Sequence, residues 1–139
     1  MIKKKKVGLI FLLLLICLFT LSACGRSKLS SEFDQVEVEE LATNIVNMVN
    51  KEDAEGIKEL YNEEMKQAMT DEVLNQVFDI VKEFGEYEKI TKIDVTGIKD
   101  KASDQPFAVA VINAKYADKK VIYTITFDTD MKLAGLYIK

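Results

Sequence analysis

The chain has 139 residues, of which 48% are hydrophobic and 30% are charged, and its 19 basic and 23 acidic residues give a net charge of −4 at pH 7. It contains no histidine, which excludes His-based catalytic triads and metal sites that need an imidazole ligand. The excess of acidic residues disfavours nucleic-acid binding, which depends on neutralising phosphates with basic side chains.

The first 23 residues are predicted to be an export signal. Four lysines, Lys3 to Lys6, precede an apolar run from Val7 to Leu21, and this order is typical of a secretory signal. The apolar run is shorter than the roughly 20 residues that a helix needs to cross a bilayer. The alternatives are an uncleaved signal anchor and a plain secretory signal followed by a free cysteine.

The end of this segment, Leu21-Ser22-Ala23-Cys24, resembles the bacterial lipobox, in which a leucine and two small residues precede an invariant cysteine. The resemblance implies a diacylglyceryl thioether on Cys24, cleavage before it, and a lipid-anchored protein on the extracytoplasmic face of the cell membrane. Two acyl chains make such an anchor stable, because each buried methylene contributes about 0.8 kcal/mol. Cys17 would leave with the signal, so the mature chain could form no internal disulfide.

These boundaries divide the chain into a signal peptide at 1–23, a lipidated tether at 24–31 and a single domain at 32–139. Removing the signal takes away four basic residues and no acidic ones, so the remaining 116 residues carry a net charge of −8. A domain of this size buries roughly two-thirds of its unfolded surface and needs no metal or disulfide to fold. The tether reaches at most about 25 Å, which keeps the domain close to the bilayer.

The first half of the domain is predicted to be helical. Apolar residues between Phe33 and Val49 recur at helical spacing, and Ser31 is the expected N-cap. Asp53 can cap a second, shorter helix, in which Gly56 is unfavourable. These patterns predict two amphipathic helices that place their apolar faces against one core.

A third helix follows an irregular connection. The segment from Tyr61 to Met69 has no clear apolar period. Thr70 is a good N-cap for the next periodic stretch, and Asp71 and Glu72 are favourable at its positive end. Gly85 is expected to end this helix in the left-handed conformation.

Four strands are predicted after the helices. The segment from Tyr87 to Ile98 slips once in its alternation, which indicates a β-bulge. The segment from Phe107 to Tyr116 is apolar on both faces, as expected for a central strand. Val121 to Phe127 alternates cleanly, Asp128-Thr129-Asp130 is a hairpin loop, and Leu133 to Ile138 is the last strand. The expected fold is α+β, with three helices on one face of a four-stranded antiparallel meander.

This order of elements resembles the nuclear-transport-factor-two-like, or cystatin-like, superfamily. The ending from Phe127 to Ile138, and Leu74 with Phe84-Gly85-Glu86-Tyr87, are similar to a bacterial family of unknown function within it. Members of that family occur alone as lipoproteins or ahead of hydrolase domains in exported proteins. The resemblance implies a curved sheet around a long first helix with a conical pocket. It implies no single function, because the superfamily includes isomerases, dehydratases and binding modules.

One catalytic arrangement is compatible with this composition, namely a carboxylate base beside a tyrosine donor in an apolar pocket, as in the ketosteroid-isomerase branch. The candidate bases are Asp94 and Asp128, and the candidate donors are Tyr116, Tyr123 and Tyr137. Each also has a structural interpretation. Asp94 alternates with apolar residues and is expected outside the core, Asp128 is a turn former, and strand tyrosines usually serve in packing.

The sequence therefore predicts a membrane-anchored lipoprotein of the cell envelope that acts as a non-catalytic ligand-binding or protein-interaction module, without a metal or cofactor. The alternatives are a small isomerase or hydro-lyase, and a structural spacer or assembly factor. Four side chains are predicted to line the pocket: Tyr116, Tyr123, Phe127 and Tyr137. The expected partners are the membrane, through the lipid on Cys24, an envelope protein or small apolar ligand, and a second copy of the chain. The second copy would bind through the sheet, because Phe107, Val109 and Val111 need cover on one side.

Overall fold

The computed structural model describes residues 27–139. The predicted signal, the lipobox residues Leu21, Ser22 and Ala23, and Cys24 all lie outside the described residues. Among the helices that are described, none is both long enough and apolar enough to span a bilayer. Within residues 27–139, four helices are followed in chain order by four strands.

The longest helix, α1 (Gln35–Asn50), begins at Asp34, whose Oδ1 accepts the backbone N–H of Glu37 at 3.0 Å. The prediction of Ser31 as the cap is wrong, because Phe33 is buried in the core and the chain must turn there before the helix begins. An aspartate after an inward apolar residue is an equally good start signal. One face of α1 is buried, and its members are Val38, Ala42, Ile45, Val46 and Val49.

Two short helices follow. The first, α2 (Ala54–Glu59), is capped by Asp53 as predicted. The segment predicted as irregular contains a further helix, α3 (Glu63–Ala68), and the Asn62 side chain caps it by accepting the backbone N–H of Met65 at 2.8 Å. The sequence did not indicate α3, because a six-residue helix that buries only Met65 produces no apolar period.

The last helix, α4 (Asp71–Lys82), confirms both of its predicted ends. The Thr70 hydroxyl accepts the backbone N–H of Val73 at 3.3 Å, and the acidic residues of the first turn lie near the positive end of the helix dipole. Gly85 has φ +83°, a left-handed conformation that a residue with a Cβ adopts only at an energetic cost. The chain can therefore reverse from α4 into the sheet within a few residues.

Four antiparallel strands form one sheet in chain order: β1 (Tyr87–Lys99), β2 (Pro106–Tyr116), β3 (Lys120–Phe127) and β4 (Leu133–Ile138). The predicted meander is confirmed. The first strand has register shifts between Tyr87 and Lys89 and between Ile90 and Lys92, where the alternation predicted one bulge. The predicted α+β class is also confirmed, with four helices in the described part instead of three.

The sheet has a helix-facing side and an open side. Helix α1 packs across β1, β2 and β3 on the helix-facing side. Alternate residues of β2 and β3 point to that side and form the centre of the core: Ala108, Ala110, Ile112, Ala114, Tyr116, Val121, Tyr123, Ile125 and Phe127. Residues of the opposite parity point away from the helices, so β2 is apolar on both sides as predicted.

A short stretch before α1 extends the sheet at its β1 edge. Ser27 forms an antiparallel bridge with Gly97, in which each backbone N–H donates to the other residue's carbonyl oxygen at 2.9 Å. The Ser27 hydroxyl also donates to the Gly97 carbonyl oxygen at 3.0 Å. Leu29 packs against the core. The part of the predicted tether from residue 27 onward is therefore bound to the domain.

Candidate functional site

The structure brings together two of the predicted tyrosine donors. Tyr116 ends β2 and Tyr123 lies within β3, and both point to the helix-facing side, where they are 2% and 0% exposed. Their hydroxyl oxygens are 2.5 Å apart, so that one hydroxyl donates to the other. The rings of Phe84 and Tyr87 pack edge-on against Tyr116, with centroid distances of 5.6 and 5.5 Å. The two hydroxyls thus meet inside an aromatic enclosure.

Burial determines the protonation of this pair. Loss of solvation raises the pKa of Tyr116, and the hydrogen bond with Tyr123 and the nearby Asn50 side chain partly oppose that effect. Loss of solvation is also the main cause that raises the pKa of Tyr123, and its bond to Tyr116 raises it further. Both phenols therefore remain neutral at physiological pH and can act as hydrogen-bond donors but not as bases.

The two predicted carboxylate bases lie elsewhere. Asp94 is on the open side of β1, and its Oδ2 is 2.7 Å from Nζ of Lys92. Asp128 follows β3, and its Oδ1 accepts the backbone N–H groups of Asp130 and Lys132, both at 3.0 Å. No acidic side chain among residues 27–139 is buried. The structure therefore does not bring Asp94 or Asp128 to the tyrosine pair.

The four residues predicted to line a pocket do not share one surface. Phe127 is fully buried on the helix-facing side, together with Tyr116 and Tyr123. Tyr137 pairs with Thr124 across β3 and β4, so it belongs to the open side, and it is 63% exposed. The set is thus divided between the core and the opposite surface of the sheet.

A groove of about 550 Å³ lies where α1 and α4 end. Its apolar floor includes Phe78 and Val81, and Tyr87, which packs on Tyr116, forms part of its wall. An ion pair between Glu52 and Lys82, 2.7 Å long, lies at its rim. No sequence pattern indicated this groove. The two charged residues at its rim, Glu52 and Lys82, are 30 residues apart in the chain.

The side of the sheet that the helices do not cover has a mostly apolar surface, which we call the open face. Cross-strand pairing aligns Thr96, Val109 and Thr126 in one row, and Val111 and Thr124 in the next. Val109 is only 8% exposed because its neighbours on the face pack around it. The open face consists of nine mostly apolar or β-branched residues: Thr96, Ile98, Phe107, Val109, Val111, Ile122, Thr124, Thr126 and Tyr137.

The charges around the open face are largely paired. Lys92 contacts Asp94, and Lys115 contacts Glu88 at 2.8 Å. The helical half differs, since residues 32–64 contain eleven acidic residues and two lysines. The protein therefore has an acidic helical side and a nearly neutral sheet side.

Within residues 27–139, no group of three or more Cys, Asp or Glu side chains is arranged to hold an ion. The Asp128 carboxylate, which begins the short acidic loop after β3, is used to cap backbone N–H groups of its own turn. The loop therefore has the hydrogen bonding of a hairpin.

Comparison with known proteins places the chain in a family. The model of a family described as "Protein of unknown function (DUF3887)" matches residues 42–136, which is more than half of the chain. The chain belongs to the DUF3887 family. The matched range extends from within α1 to within β4, so it includes the second half of α1, the other three helices, strands β1 to β3 and the first part of β4. This confirms the predicted resemblance to a family of unknown function, whereas the superfamily and the lipobox remain predictions.

One solved structure supports the fold of this DUF3887 chain. An NMR structure of a protein from Ruminococcus gnavus ATCC 29149 is similar, with a TM-score of 0.70 and 21% sequence identity, over 81% of this chain and 97% of that chain. At this identity the similarity shows a shared fold alone. No curated protein matches the DUF3887 chain.

Proposed function

We propose that this DUF3887 protein is a lipid-anchored module of the cell envelope that acts by binding and not by catalysis, and that its open face binds a second copy of the chain. The observation that carries the proposal is the open face itself. A fully formed sheet presents Val109, Val111 and their neighbours away from the helices, on a surface without unpaired charge at its centre. Coherent apolar surfaces of this kind mark interaction sites.

The distribution of charge supports a second copy of the chain as the partner that binds the open face. Residues 24–139 have a net charge of −8, which makes two copies repel each other through their acidic helical sides. The nine residues of the open face carry no charge, and the neighbouring Lys92 and Asp94 pair with each other, so two copies can approach there without that repulsion. Like surfaces that meet about a two-fold axis also form the commonest kind of homodimer.

The size of the open face supports weak association. Four strands about 4.8 Å apart, with a rise of about 3.3 Å per residue, give a surface of roughly 500 Å². A stable interface usually buries about 800 Å² on each partner. The pair should therefore be weak in dilute solution and populated on a membrane, where confinement raises the effective concentration of the copies.

The lipobox resemblance supports the anchor. A lipid on Cys24 would hold the domain at the extracytoplasmic face of the cell membrane, with the membrane as its first partner.

The isomerase or hydro-lyase alternative has less support, because Asp94 is half exposed on the open side and Asp128 belongs to a turn. Neither can serve as a base for a substrate that the buried tyrosine pair would bind.

The anchor is tested by replacing Cys24→Ala in the full-length chain. We expect the unmodified protein to contain a diacylglyceryl group on Cys24 in the mass spectrum of its N-terminal peptide and to sediment with membranes. The variant should retain residues 1–23 and lose the lipid. An unmodified Cys24 in the parent protein contradicts the anchor.

Self-association is tested with single-cysteine variants of the membrane-bound protein. Thr124→Cys places a thiol at the centre of the open face, and Ile80→Cys places one on the exposed side of α4 as a control. With a short bismaleimide reagent, we expect Thr124→Cys to form a cross-linked pair of twice the chain mass and Ile80→Cys to form none. Adding Val111→Lys should weaken the pairing at least about tenfold, because the face would then bury an unpaired charge. A cross-link to a protein of another mass, or none, contradicts the second copy as partner.

A further inference from the structure

We propose that Ser27 and Lys28 dock on β1 as a short fifth strand, and that this contact makes the domain stand on the lipid surface by its β1 edge. The inference rests on the proposed lipid anchor at Cys24 and specifies how that anchor is used. It assigns a function to residues that the sequence predicted only as part of a short lipidated tether.

The docking contact is specific. Ser27 and Gly97 exchange two backbone hydrogen bonds of 2.9 Å, the arrangement of a hydrogen-bonded pair in an antiparallel ladder. The Ser27 hydroxyl adds a third bond to the same carbonyl oxygen. Leu29, two residues later, packs against the core, so the segment is held at two points.

Gly97 is the residue that permits this contact. A Cβ at Gly97 would lie 2.5 Å from the carbonyl oxygen of Lys28 and 3.1 Å from Cα of Leu29, distances that would force the docked backbone away. Glycine within a strand is otherwise unfavourable and often marks a site where another backbone approaches closely. The buried position of Gly97 in β1 therefore has a reason in the docking of residues 27–29.

The short stretch of chain between Cys24 and Ser27 limits the orientations that the domain can take on the membrane. Three peptide steps separate Cys24 from Ser27, so their Cα atoms are at most about 11 Å apart. If residues 27–32 were free, the nearest fixed residue would be Phe33, which lies up to roughly 30 Å from Cys24. A domain of this size has a radius of gyration of about 13 Å and hence a diameter near 35 Å. An attachment about 30 Å long would allow the domain almost any orientation on the membrane. An attachment about 11 Å long holds one side of the domain against the lipid.

The side held against the lipid is the β1 edge. The strand order β1-β2-β3-β4 places β4 three strands, about 14 Å, farther from the membrane. The sheet then stands upright, and its open face points sideways along the membrane surface. In this orientation the open faces of two neighbouring copies on one membrane can meet.

The test measures the distance of each sheet edge from the lipid. The lipidated protein is reconstituted in vesicles of phosphatidylcholine and phosphatidylglycerol, with a fluorophore on Lys99→Cys in β1 or on Tyr137→Cys in β4. A lipid with a spin-labelled headgroup is the quencher. We expect the label at position 99 to be quenched several-fold more strongly than the label at position 137, and Gly97→Val to bring the two values close together.

Two further variants separate docking from folding. Ser27→Pro removes the N–H that donates to Gly97 and leaves the core intact, so it should equalise the quenching as Gly97→Val does. Gly135→Ala is the matched control, because a Cβ there meets Thr126 atoms only at 3.4 Å, and it should leave the difference unchanged. Equal quenching of both labels in the otherwise unaltered lipoprotein overturns the proposal.

Amide hydrogen exchange distinguishes the failure of docking from the failure of anchoring. If docking is correct, the Ser27 and Gly97 N–H groups exchange slowly, and Gly97→Val accelerates the exchange at Ser27 while Ile112 in the core stays protected. Rapid exchange at Ser27 in the parent protein overturns the docking whether or not the lipid is present. Slow exchange in a protein that lacks the lipid overturns the orientation and the anchor, but it leaves the docked strand in place.

Discussion

At the scale of single residues, the buried tyrosine hydroxyls of the domain differ in their hydrogen bonding. Tyr116 and Tyr123 satisfy each other, whereas the hydroxyl of Tyr61 is buried without a hydrogen-bond partner among the described residues. A buried hydroxyl that has a partner contributes modestly to stability, and one without a partner retains its full desolvation cost. The tyrosine hydroxyl is therefore expected to stabilise the fold at positions 116 and 123 and to destabilise it at position 61.

Removing one hydroxyl of the Tyr116–Tyr123 pair should cost more stability than removing the second one afterwards. Tyr123→Phe leaves the Tyr116 hydroxyl buried and unpaired, and we expect it to lower the free energy of unfolding by about 1 to 3 kcal/mol. Replacing both tyrosines with phenylalanine should cost less than the sum of the single changes, because the second replacement removes the unpaired group. Urea unfolding of the four proteins measures the coupling, with Tyr137→Phe as an exposed control. Additive single effects would contradict the hydrogen bond.

Tyr61 should make the stability sensitive to alkaline pH. Loss of solvation raises the pKa of Tyr61 from 10.0 to about 12, so the folded state holds this proton more tightly than the unfolded state does. The effect of Tyr61 on stability does not change with pH below about pH 10, and it becomes unfavourable as the pH rises to about 12, because the unfolded state releases this proton before the folded state does. Tyr61→Phe should reduce that loss and raise stability at pH 7 by up to about 2 kcal/mol. Thermal unfolding between pH 7 and pH 12 measures both effects, and a destabilised variant at pH 7 would show that the hydroxyl has a partner.

At the scale of elements, the ends of helices and strands determine the path of the chain. Leu133, the first residue of β4, donates its N–H to the Leu60 carbonyl oxygen at 2.7 Å and accepts the N–H of Asn62 at 3.0 Å. The connection between α2 and α3 thus fixes the beginning of β4. At the other end of the domain, Gly85 makes the turn from α4 into β1.

The turn at Gly85 should tolerate no side chain. Gly85→Ala places a Cβ on a residue with φ +83° and within 2.6 Å of Oδ2 of Asp118, so we expect a loss of about 1 to 2 kcal/mol in the free energy of unfolding. Gly135→Ala, in β4, has room for the methyl group and should change stability little. Urea unfolding compares the two, and equal effects would mean that the left-handed turn is not required.

At the scale of the whole molecule, the uneven distribution of charge should make stability depend on salt. The acidic helical side repels itself, and this repulsion opposes the compact state. Raising the ionic strength from about 0.01 M to about 0.15 M shortens the Debye length from about 30 Å to about 8 Å. We expect the folded state to gain up to about 1 kcal/mol, seen as an increase of several degrees in Tm.

A charge-reversed variant provides the control for this effect. Glu37 and Glu40 are exposed on α1. Changing both to lysine removes part of the repulsion and should flatten the dependence of Tm on salt. An unchanged salt dependence would indicate that the acidic side does not destabilise the fold.

Local patterns predicted much of the fold. The apolar periods of α1 and α4, the caps at Asp53 and Thr70 and the alternation of β3 depend on neighbours within a few residues, which the sequence shows directly. The start of α1 and the existence of α3 were not predicted correctly, because the burial of Phe33 and Met65 depends on packing against distant elements. The candidate site was predicted less well, since periodicity does not show which side of a two-sided apolar strand the helices cover.

The amino-acid sequence by itself led to the export signal hypothesis, and it determined three of the four helices, the order of the four strands and the acidic character of the helical half. Only the tertiary structure decided that Tyr116 meets Tyr123 inside the core, that Tyr137 lies on the other side of the sheet, and that Ser27 pairs with Gly97, 70 residues away. The physical reason is that side-chain spacing encodes which residues share a face of one element. Contacts between faces and edges depend on the register and packing of segments that are far apart in the chain.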